Sequence, residues 1–216
     1  MPHSASRGPT VPMEYEIMSV LVGKKAPDFT ATAVLADGSF SELTLSSFEG
    51  DKYVVLFFYP LDFTFVCPSE IIAFDKRVEK FAERGVQVIG CSVDSHFSHY
   101  AWRNTKVRDG GIGQIDFPLV SDLDKSIVRD YDVLTGGTVA LRGSFLIDKS
   151  GTVQHQVVNN LPLGRNIDEM LRMVDALKFH EENGEVCPAG WKDGKAGMTP
   201  TADGVASFLS KNARRL

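Results

Sequence analysis

The segment of residues 53–70, YVVLFFYPLDFTFVCPSE, constrains the fold more than any other part of the sequence. Its first seven residues are apolar or aromatic, which predicts a strand covered on both faces and ended by Pro60. Cys67 then stands at the start of a predicted helix, which Gly85 is expected to end. The apolar residues of this helix recur at a spacing of three or four: Ile71, Phe74, Val78 and Phe81. Unpaired N–H groups and the helix dipole favour a thiolate at such a position, so the segment predicts a reactive cysteine.

The size and charge of the chain argue against several classes of protein. With 216 residues, 43% of them hydrophobic, the chain is long enough for one domain with a sizeable core. The net charge of -5 and the lack of a basic run argue against nucleic acid or an anionic membrane surface as a partner. No apolar stretch approaches the roughly 20 residues that a membrane-spanning helix needs. We therefore predict a soluble protein that binds neither nucleic acid nor membranes.

The cysteine content predicts the compartment. Three cysteines are too few and too scattered for the disulfide framework of a secreted protein. Their odd number indicates a reducing compartment, where a disulfide is transient and catalytic, and the cytoplasm is the expected location. Residues 1–18 lack the apolar core of a secretory signal and are expected to form a disordered leader or tail.

The rest of the chain predicts strands and helices in alternation. Strands are expected at residues 29–33, 86–93, 145–148 and 152–158, and helices at 95–104, 121–131 and 166–184. Ser121 is the expected N-cap of one helix, while Asn166 and Glu169 are expected to form a capping box for another. A strand on each side of the Cys67 helix predicts a parallel β-α-β unit, whereas the DKSG turn predicts an antiparallel hairpin. These elements together predict a mixed α/β fold.

Pro60, Thr64 and Cys67 stand in the spacing PxxxTxxC directly after the buried strand. This pattern resembles the active site of the peroxiredoxins, and is close to that of their typical two-cysteine branch, which includes the alkyl hydroperoxide reductase C component. Five further segments resemble that branch in order: DSHFSHYAWRNT, GGIG, RGSFLID, VVNNLPLGRNIDE and EVCPAGW. The resemblance covers residues 19–211 and implies a thioredoxin-like α/β fold with a mixed central sheet. The expected parts are an N-terminal extension at 1–18, a peroxidase domain at 19–184 and a C-terminal arm at 185–216.

The chemistry that the resemblance implies is the reduction of hydrogen peroxide and organic hydroperoxides by Cys67, which becomes a sulfenic acid. A thiolate that attacks an O–O bond leaves negative charge on the departing oxygen, so the site needs fixed hydrogen-bond donors. Thr64 can point its hydroxyl into the same pocket, and the resemblance gives Arg142 the role of charge partner and donor. By the same resemblance, Pro60 shields the thiolate from water.

Residues farther along the chain complete the implied site. Glu70 and Arg165 would orient Arg142, and Trp102 would lie near the pocket, although a packing role for Trp102 is an equally open interpretation. Cys187 in the arm is the implied resolving cysteine, which condenses with the sulfenic acid of the other subunit of a homodimer. The implied assembly is a ring of five dimers. A thioredoxin-like protein or a flavoprotein disulfide reductase would close the cycle, so no cofactor is expected in the chain.

Resistance to overoxidation is a further hypothesis from the resemblance. Family members that are sensitive carry a GGLG-type loop together with a Tyr-Phe pair in the C-terminal helix, and both slow the unwinding around the reactive cysteine. This chain has GGIG at residues 110–113 but Phe208 and Leu209 where the pair would be sought. We therefore expect intermediate to high resistance.

Three other residues that can bind metals or react receive structural interpretations. Cys91 lies in an apolar strand and lacks the neighbours that accompany Cys67, so it is interpreted as a structural thiol. His96 and His99 have a spacing that metal ligands use on a helix, but no cluster of further ligands accompanies them. We therefore expect both histidines at the surface or at an interface.

Two other functions are compatible with these residues. A thiol-disulfide oxidoreductase of the same fold normally has two cysteines in C-x-x-C spacing, whereas Cys67 is followed by Pro-Ser-Glu. A redox-regulated holdase chaperone or a peroxide-signalling protein is the second alternative, and it can coexist with catalysis.

Overall fold

A computed structural model describes residues 20–215, so the extension predicted at residues 1–18 lies outside the described residues. The strands are Thr30–Val34 (β1), Phe40–Thr44 (β2), Tyr53–Phe58 (β3), Val86–Ser92 (β4), Leu119–Ser121 (β5), Leu134–Thr135 (β6), Val139–Ala140 (β7), Arg142–Ile147 (β8) and Val153–Asn159 (β9). The α-helices are Cys67–Asp75 (α1), Val78–Glu83 (α2), His96–Asn104 (α3), Ser126–Asp130 (α4), Ile167–Asn183 (α5) and Ala202–Asn212 (α6). Short 3-10 helices lie at Leu45–Phe48, Val107–Asp109 and Ala213–Arg215.

Seven strands form one mixed sheet in the order β2-β1-β5-β4-β3-β8-β9, and β6 and β7 form a separate two-stranded sheet. The central strand β3 is parallel to β4, and β4 is parallel to β5. The other neighbours in the large sheet pair antiparallel, including the β8–β9 hairpin. The predictions of a mixed sheet, of a parallel unit around the Cys67 helix and of the hairpin are confirmed.

Strand β3 is buried along its whole length because both faces of the sheet are covered. Its odd-numbered residues, such as Val55 and Phe57, belong to an apolar cluster with residues of α1, α2, α3 and α5, and Cys67 lies in this cluster. Its even-numbered residues, such as Leu56 and Phe58, belong to a second cluster that includes residues of α4. The uninterrupted apolar run is therefore the pattern of a central strand, and the strand leads directly into the loop before Cys67.

The single helix predicted between Cys67 and Gly85 is wrong, because two helices, α1 and α2, replace it. The chain leaves helical geometry at Arg77, where φ is -120° and ψ is 4°. The N–H of Arg77 bonds to the carbonyl of Phe74, three residues back, and its side chain pairs with Asp168 at 2.6 Å. The apolar spacing still predicts the buried face correctly, since all four apolar residues contribute to one core cluster.

The helix predicted at residues 121–131 is also wrong in extent. Ser121 is not an N-cap but the last residue of β5, held there by pairing with β4, and α4 begins only at Ser126. The carboxylate of Asp122 takes the capping role, because it accepts hydrogen bonds from two N–H groups of α4 at 3.1 and 2.8 Å. Pairing with a neighbouring strand therefore outweighs the local capping preference of the serine.

Helix α5 begins and ends where the sequence predicts. The side chain of Asn166 accepts hydrogen bonds from the N–H groups of Asp168 and Glu169 at 3.0 and 3.3 Å, and Gly184 follows the helix with φ of 67°. Glu169 does not complete the reciprocal capping box, because its carboxylate pairs with Arg172 at 2.7 Å. Asn166 alone therefore caps the helix that follows the active-site segment.

The first part of the arm lies against α5. Val186 and Met198 form an isolated antiparallel bridge, and the ring of Trp191 packs on that of Phe179 with centroids 4.8 Å apart. Trp191 is buried, whereas α6, farther along the described arm, has no buried residue. The arm therefore combines a well-packed start with a helix that contributes nothing buried to the core.

Replacement of Asn166 by alanine tests the capping of α5. We expect Asn166→Ala to lower the free energy of unfolding by about 1 kcal/mol, because two N–H groups at the helix start lose their acceptor. Urea denaturation measures the change. Asn166→Asp keeps an acceptor at the same place and is expected to retain the stability of the parent protein. Equal stability of the alanine and aspartate variants would contradict the capping role.

Candidate active site

Cys67 is the first residue of α1, as the sequence predicts, and it follows β3 through the loop at residues 60–66. Its side chain is fully buried. Val66 occupies the N-cap position without a side-chain hydrogen bond to the helix. The sulfur therefore lies at the positive end of the α1 dipole, which favours negative charge there.

Two hydrogen-bond donors face the Cys67 sulfur. Thr64 Oγ1 lies 3.0 Å from Sγ, and Arg142 Nη1 lies 3.4 Å from it. The threonine hydroxyl also lies 2.7 Å from the carbonyl oxygen of Leu61, so its single proton serves either acceptor. One donor comes from the loop before α1 and the other from β8. The loop and the sheet together therefore build a site for a negatively charged sulfur or oxygen.

The carboxylate of Glu70 lies between two buried guanidinium groups. Its Oε2 accepts from Arg142 Nη1 at 2.7 Å, and its Oε1 accepts from Arg165 Nε at 2.8 Å. Arg142 Nε donates to Leu161 O at 2.7 Å, so the guanidinium next to the sulfur is held from two sides. Arg165 Nη1 donates to Phe58 O at 2.8 Å, which joins the cluster to the end of β3. These contacts leave the Arg142 guanidinium little freedom to turn away from Cys67.

The cluster around Glu70 carries an excess of positive charge. Arg142 and Arg165 are two cations against the one anion Glu70, and the Arg142 guanidinium faces the Cys67 sulfur. Negative charge that develops at the sulfur or beside it therefore meets a fixed positive partner. Burial lowers the pKa of Arg165, while its hydrogen bonds to Glu70 oppose that change.

Pro60 and Trp102 lie buried beside the loop that carries Thr64. Pro60 stands two residues after Phe58, the last residue of β3. The Trp102 indole N–H donates to Gly110 O at 3.0 Å, and its ring centroid lies 5.6 Å from that of Phe63 in the loop. Trp102 also belongs to the apolar cluster that contains Cys67. The two interpretations of Trp102 therefore coincide, since it packs in the core and also borders the active-site loop.

The other two cysteines have different surroundings. Cys187 is half-buried in the arm, with Sγ 3.4 Å from Ala176 O on α5. Burial raises the pKa of the Cys187 thiol, although the positive charge of Arg172 opposes the change. Cys91 is fully buried in β4, and burial raises the pKa of its thiol well above the usual range. All three thiols are free, and within the described subunit the hydrogen-bonded cluster around Cys67 does not include Cys187.

One buried polar pair near the site is not predicted from the sequence. Asp62, in the loop before Cys67, and His99, on α3, are both buried, and Asp62 Oδ2 lies 2.8 Å from His99 Nδ1. The expected surface or interface position is therefore wrong for His99, because Asp62 holds its ring in the core. His96 is partly exposed and packs on the ring of Phe40. The sequence offers one signal for this pair, which is that Asp62 is the single carboxylate among the apolar and aromatic residues just before Cys67.

Comparisons with known proteins agree with this geometry. The sequence model of the AhpC/TSA family matches residues 22–156, and that of the C-terminal domain of 1-Cys peroxiredoxin matches residues 176–211. Alkyl hydroperoxide reductase C of Helicobacter pylori is 60% identical over 198 residues, which are 91% of this chain and 100% of that protein. This chain is a peroxiredoxin. Peroxiredoxin-2 of Mus musculus is 52% identical over 192 residues, 88% of this chain and 96% of that protein.

Solved structures confirm the fold of this peroxiredoxin. The reduced 2-Cys peroxiredoxin of Plasmodium vivax matches it with a TM-score of 0.88 at 55% identity, over 89% of this chain and 100% of that chain. The predicted thioredoxin-like fold is therefore confirmed. The peroxiredoxin is an enzyme, a thiol-dependent peroxidase, and its substrate is a peroxide.

Replacement of Glu70 by glutamine tests the positioning of Arg142. We expect Glu70→Gln to slow the second-order reaction with hydrogen peroxide about 10- to 100-fold, because a guanidinium displaced from the sulfur no longer stabilises the reacting charges. Rapid mixing of the reduced protein with peroxide measures the rate. Asp168→Asn is the matched control, since it removes an arginine-paired carboxylate that is exposed, and the wild-type rate is expected. An unchanged rate in Glu70→Gln would show that Arg142 needs no such support.

Proposed function

We propose that Cys67 attacks the peroxide and that Thr64 and Arg142 are the donors that stabilise the reaction. The supporting observation is the buried sulfur that a hydroxyl and a guanidinium face at 3.0 and 3.4 Å. A bond forms between Sγ and one peroxide oxygen while the O–O bond breaks, and the departing hydroxide or alkoxide takes up a proton. Donors next to the sulfur also reach these oxygens, where negative charge develops.

The neighbouring residues affect this step by holding the reacting groups in place and by excluding water. Glu70 and Arg165 hold the Arg142 guanidinium against the sulfur, and the contact distances of 2.7 and 2.8 Å support that role. Pro60 excludes water from the thiolate, since it is buried at the end of β3. Trp102 supports the loop that carries the threonine.

Cys187 is the resolving cysteine of the proposed cycle. Its sulfur attacks the sulfenic acid on Cys67, the S–S bond forms as the S–O bond breaks, and the oxygen leaves as water. Because Cys67 is fully buried, the start of α1 has to open before the two sulfurs meet. We place the two cysteines on different subunits, as the resemblance to the typical two-cysteine branch implies.

A second copy of the chain is the proposed partner in a homodimer and in a ring of five dimers. Exposed aromatic side chains near the site support an assembly: Phe63, Phe65 and Phe97 are 53%, 97% and 66% exposed. Phe63 and Phe65 stand two residues apart in the loop before Cys67, and neighbouring exposed apolar side chains commonly mark an interaction site. The proposed division into a peroxidase domain at residues 19–184 and an arm at 185–216 assigns the domain to peroxide reduction and the arm to resolution.

The physiological reductant is proposed to be a thioredoxin-like protein or a flavoprotein disulfide reductase. The name of one similar protein supports the first, since a Plasmodium yoelii protein of 58% identity is named thioredoxin peroxidase I. Either partner reduces the disulfide by thiol-disulfide exchange, so the chain needs no cofactor of its own.

The cytoplasm is the proposed location. Within residues 20–215, no helix is long and apolar enough to cross a membrane.

The alternative functions receive less support. The match to peroxiredoxins over most of the chain favours the peroxidase over a holdase chaperone or signalling protein as the main activity. A general thiol-disulfide oxidoreductase lacks support because Pro68, Ser69 and Glu70 follow Cys67, which leaves no C-x-x-C pair.

Reaction of the reduced protein with one equivalent of hydrogen peroxide tests both cysteine roles. We expect fast consumption of peroxide and a dimer crosslinked by Cys67 and Cys187, detected on non-reducing gels and by mass mapping of disulfides. Cys67→Ser is expected to abolish fast consumption, because serine lacks the thiolate. Cys187→Ser is expected to consume peroxide at the wild-type rate but to stop at the sulfenic acid.

Cys91→Ala is the control, and it is expected to keep both steps. Consumption no faster than that of a free thiol would contradict the role of Cys67. Fast consumption without the crosslink would leave that role intact and remove Cys187 as the resolving residue.

Titration with peroxide during turnover tests the hypothesis of resistance to overoxidation. We expect little sulfinic acid on Cys67 at low peroxide, because α6 has no buried residue and so adds no core packing that could hold the site closed. Phe208→Tyr together with Leu209→Phe introduces the aromatic pair of sensitive relatives and is expected to increase sulfinic acid. Loss of wild-type activity at low peroxide, with sulfinic acid on Cys67, would contradict the hypothesis.

A further inference from the structure

The loop between β3 and α1 has a single buried side chain between Pro60 and Cys67, that of Asp62. The other side chains at residues 61–66 are half-buried or exposed, and Phe65 is almost fully exposed. Because the loop carries Thr64 and leads into Cys67, the contacts of Asp62 determine where the hydroxyl and the sulfur lie.

The buried carboxylate of Asp62 is bound from several elements. Its Oδ1 accepts from the Tyr59 hydroxyl at 2.9 Å, and its Oδ2 lies 2.8 Å from both Ser98 Oγ and His99 Nδ1. The backbone N–H of Asp62 donates to Asp94 Oδ2 at 2.9 Å. The end of β3, the start of α3 and the turn between β4 and α3 therefore all hold this one residue.

His99 connects Asp62 to the central sheet. Its ring is fully buried, and its second nitrogen, Nε2, lies 3.1 Å from Val120 O on β5. Both ring nitrogens face oxygen atoms, so the ring bridges the Asp62 carboxylate and the β5 backbone. Asp62 and His99 thus form a buried hydrogen-bonded pair, and loss of one partner leaves the other polar group in the core without this contact.

The residue next to Asp62 stores backbone strain. Phe63 has φ of 54°, in the left-handed region that residues other than glycine rarely adopt. Its ring lies against Trp102, three residues after His99 on the same helix. Helix α3 therefore holds the loop in a strained conformation, and the strain favours opening once the contact between Asp62 and His99 is lost.

We propose that Asp62 and His99 are a positioning pair that keeps the loop closed and so sets how fast Cys67 becomes accessible to Cys187. In the closed state, Thr64 faces the sulfur in the geometry for attack on peroxide. The pair does not touch the substrate and acts through the loop. Loss of the pair is therefore expected to slow the oxidation of Cys67 by peroxide and to accelerate disulfide formation with Cys187.

This inference rests on the proposed function, in which Cys187 attacks the sulfenic acid of Cys67 and the oxygen leaves as water. Opening of the loop precedes that attack, because the Cys67 sulfur is fully buried when the loop is closed. A second peroxide that reaches the sulfenic acid before opening transfers an oxygen to it, which gives sulfinic acid and water or an alcohol. The Asp62–His99 pair therefore sets the balance between disulfide and sulfinic acid.

Asp62→Asn tests the inference, because the amide keeps the shape of the side chain and removes its charge. Rapid quenching of the full-length protein after mixing with hydrogen peroxide, followed by mass spectrometry, measures Cys67 oxidation and disulfide formation as separate rates. We expect disulfide formation about tenfold faster, which corresponds to a barrier lower by about 1.4 kcal/mol. We also expect slower oxidation of Cys67 and less sulfinic acid at equal peroxide. Comparison with a control variant separates this effect from a general loss of packing.

Asp175→Asn is the matched control, since it also removes a partly buried carboxylate. Asp175 pairs with Arg84 at a distance of 2.6 Å, and this pair is not part of the loop before Cys67. Both rates are expected to match the wild type. Should Asp62→Asn not fold, Tyr59→Phe removes one donor to the same carboxylate and is expected to accelerate disulfide formation to a smaller extent.

Disulfide formation at or below the wild-type rate in the folded variants would overturn the inference and leave the proposed function standing. A wild-type protein that consumes peroxide without a disulfide between Cys67 and Cys187 would overturn the proposed resolution step first, and this inference with it.

Discussion

The contact on which the site depends is the Glu70 carboxylate between Arg142 and Arg165. It joins α1, β8 and the segment before α5 at one buried point, and Arg165 extends the connection to the end of β3. A buried ion pair is weak evidence for stability, because desolvation offsets much of the attraction. Its contribution is directional, since it holds one guanidinium beside the Cys67 sulfur, where the proposed attack on peroxide takes place.

Much of the site is predictable from the sequence because several of its residues lie close together in short segments of the chain. The apolar run at 53–59 predicts a central strand, and the spacing of Pro60, Thr64 and Cys67 predicts a reactive thiol next to a hydroxyl. The contact of Arg142 with the sulfur follows only from the resemblance to a family, since 75 residues separate the two along the chain. Physical pattern and family resemblance therefore account for different parts of the same site.

The errors arise where a distant part of the chain decides the local structure. The helix after Cys67 is interrupted at Arg77, whose side chain is bound by Asp168 on α5. Ser121 has a side chain that can cap a helix, but the residue pairs with β4 and ends β5 instead. His99 is polar and lies on a short helix, yet Asp62 holds it in the core. Periodicity and capping rules describe neighbours along the chain, so they carry no information on such partners.

The two tryptophans of the chain stand near the two segments that have to move in the proposed cycle. Trp102 borders the loop before Cys67, and Trp191 follows Cys187 in the arm, where its indole N–H donates to Lys195 O at 3.0 Å. Both rings are buried, so departure of either segment transfers an indole from an apolar to an aqueous environment. The protein thus carries an intrinsic fluorophore beside each of these cysteines, and variants with a single tryptophan separate the light emitted by the loop from that of the arm.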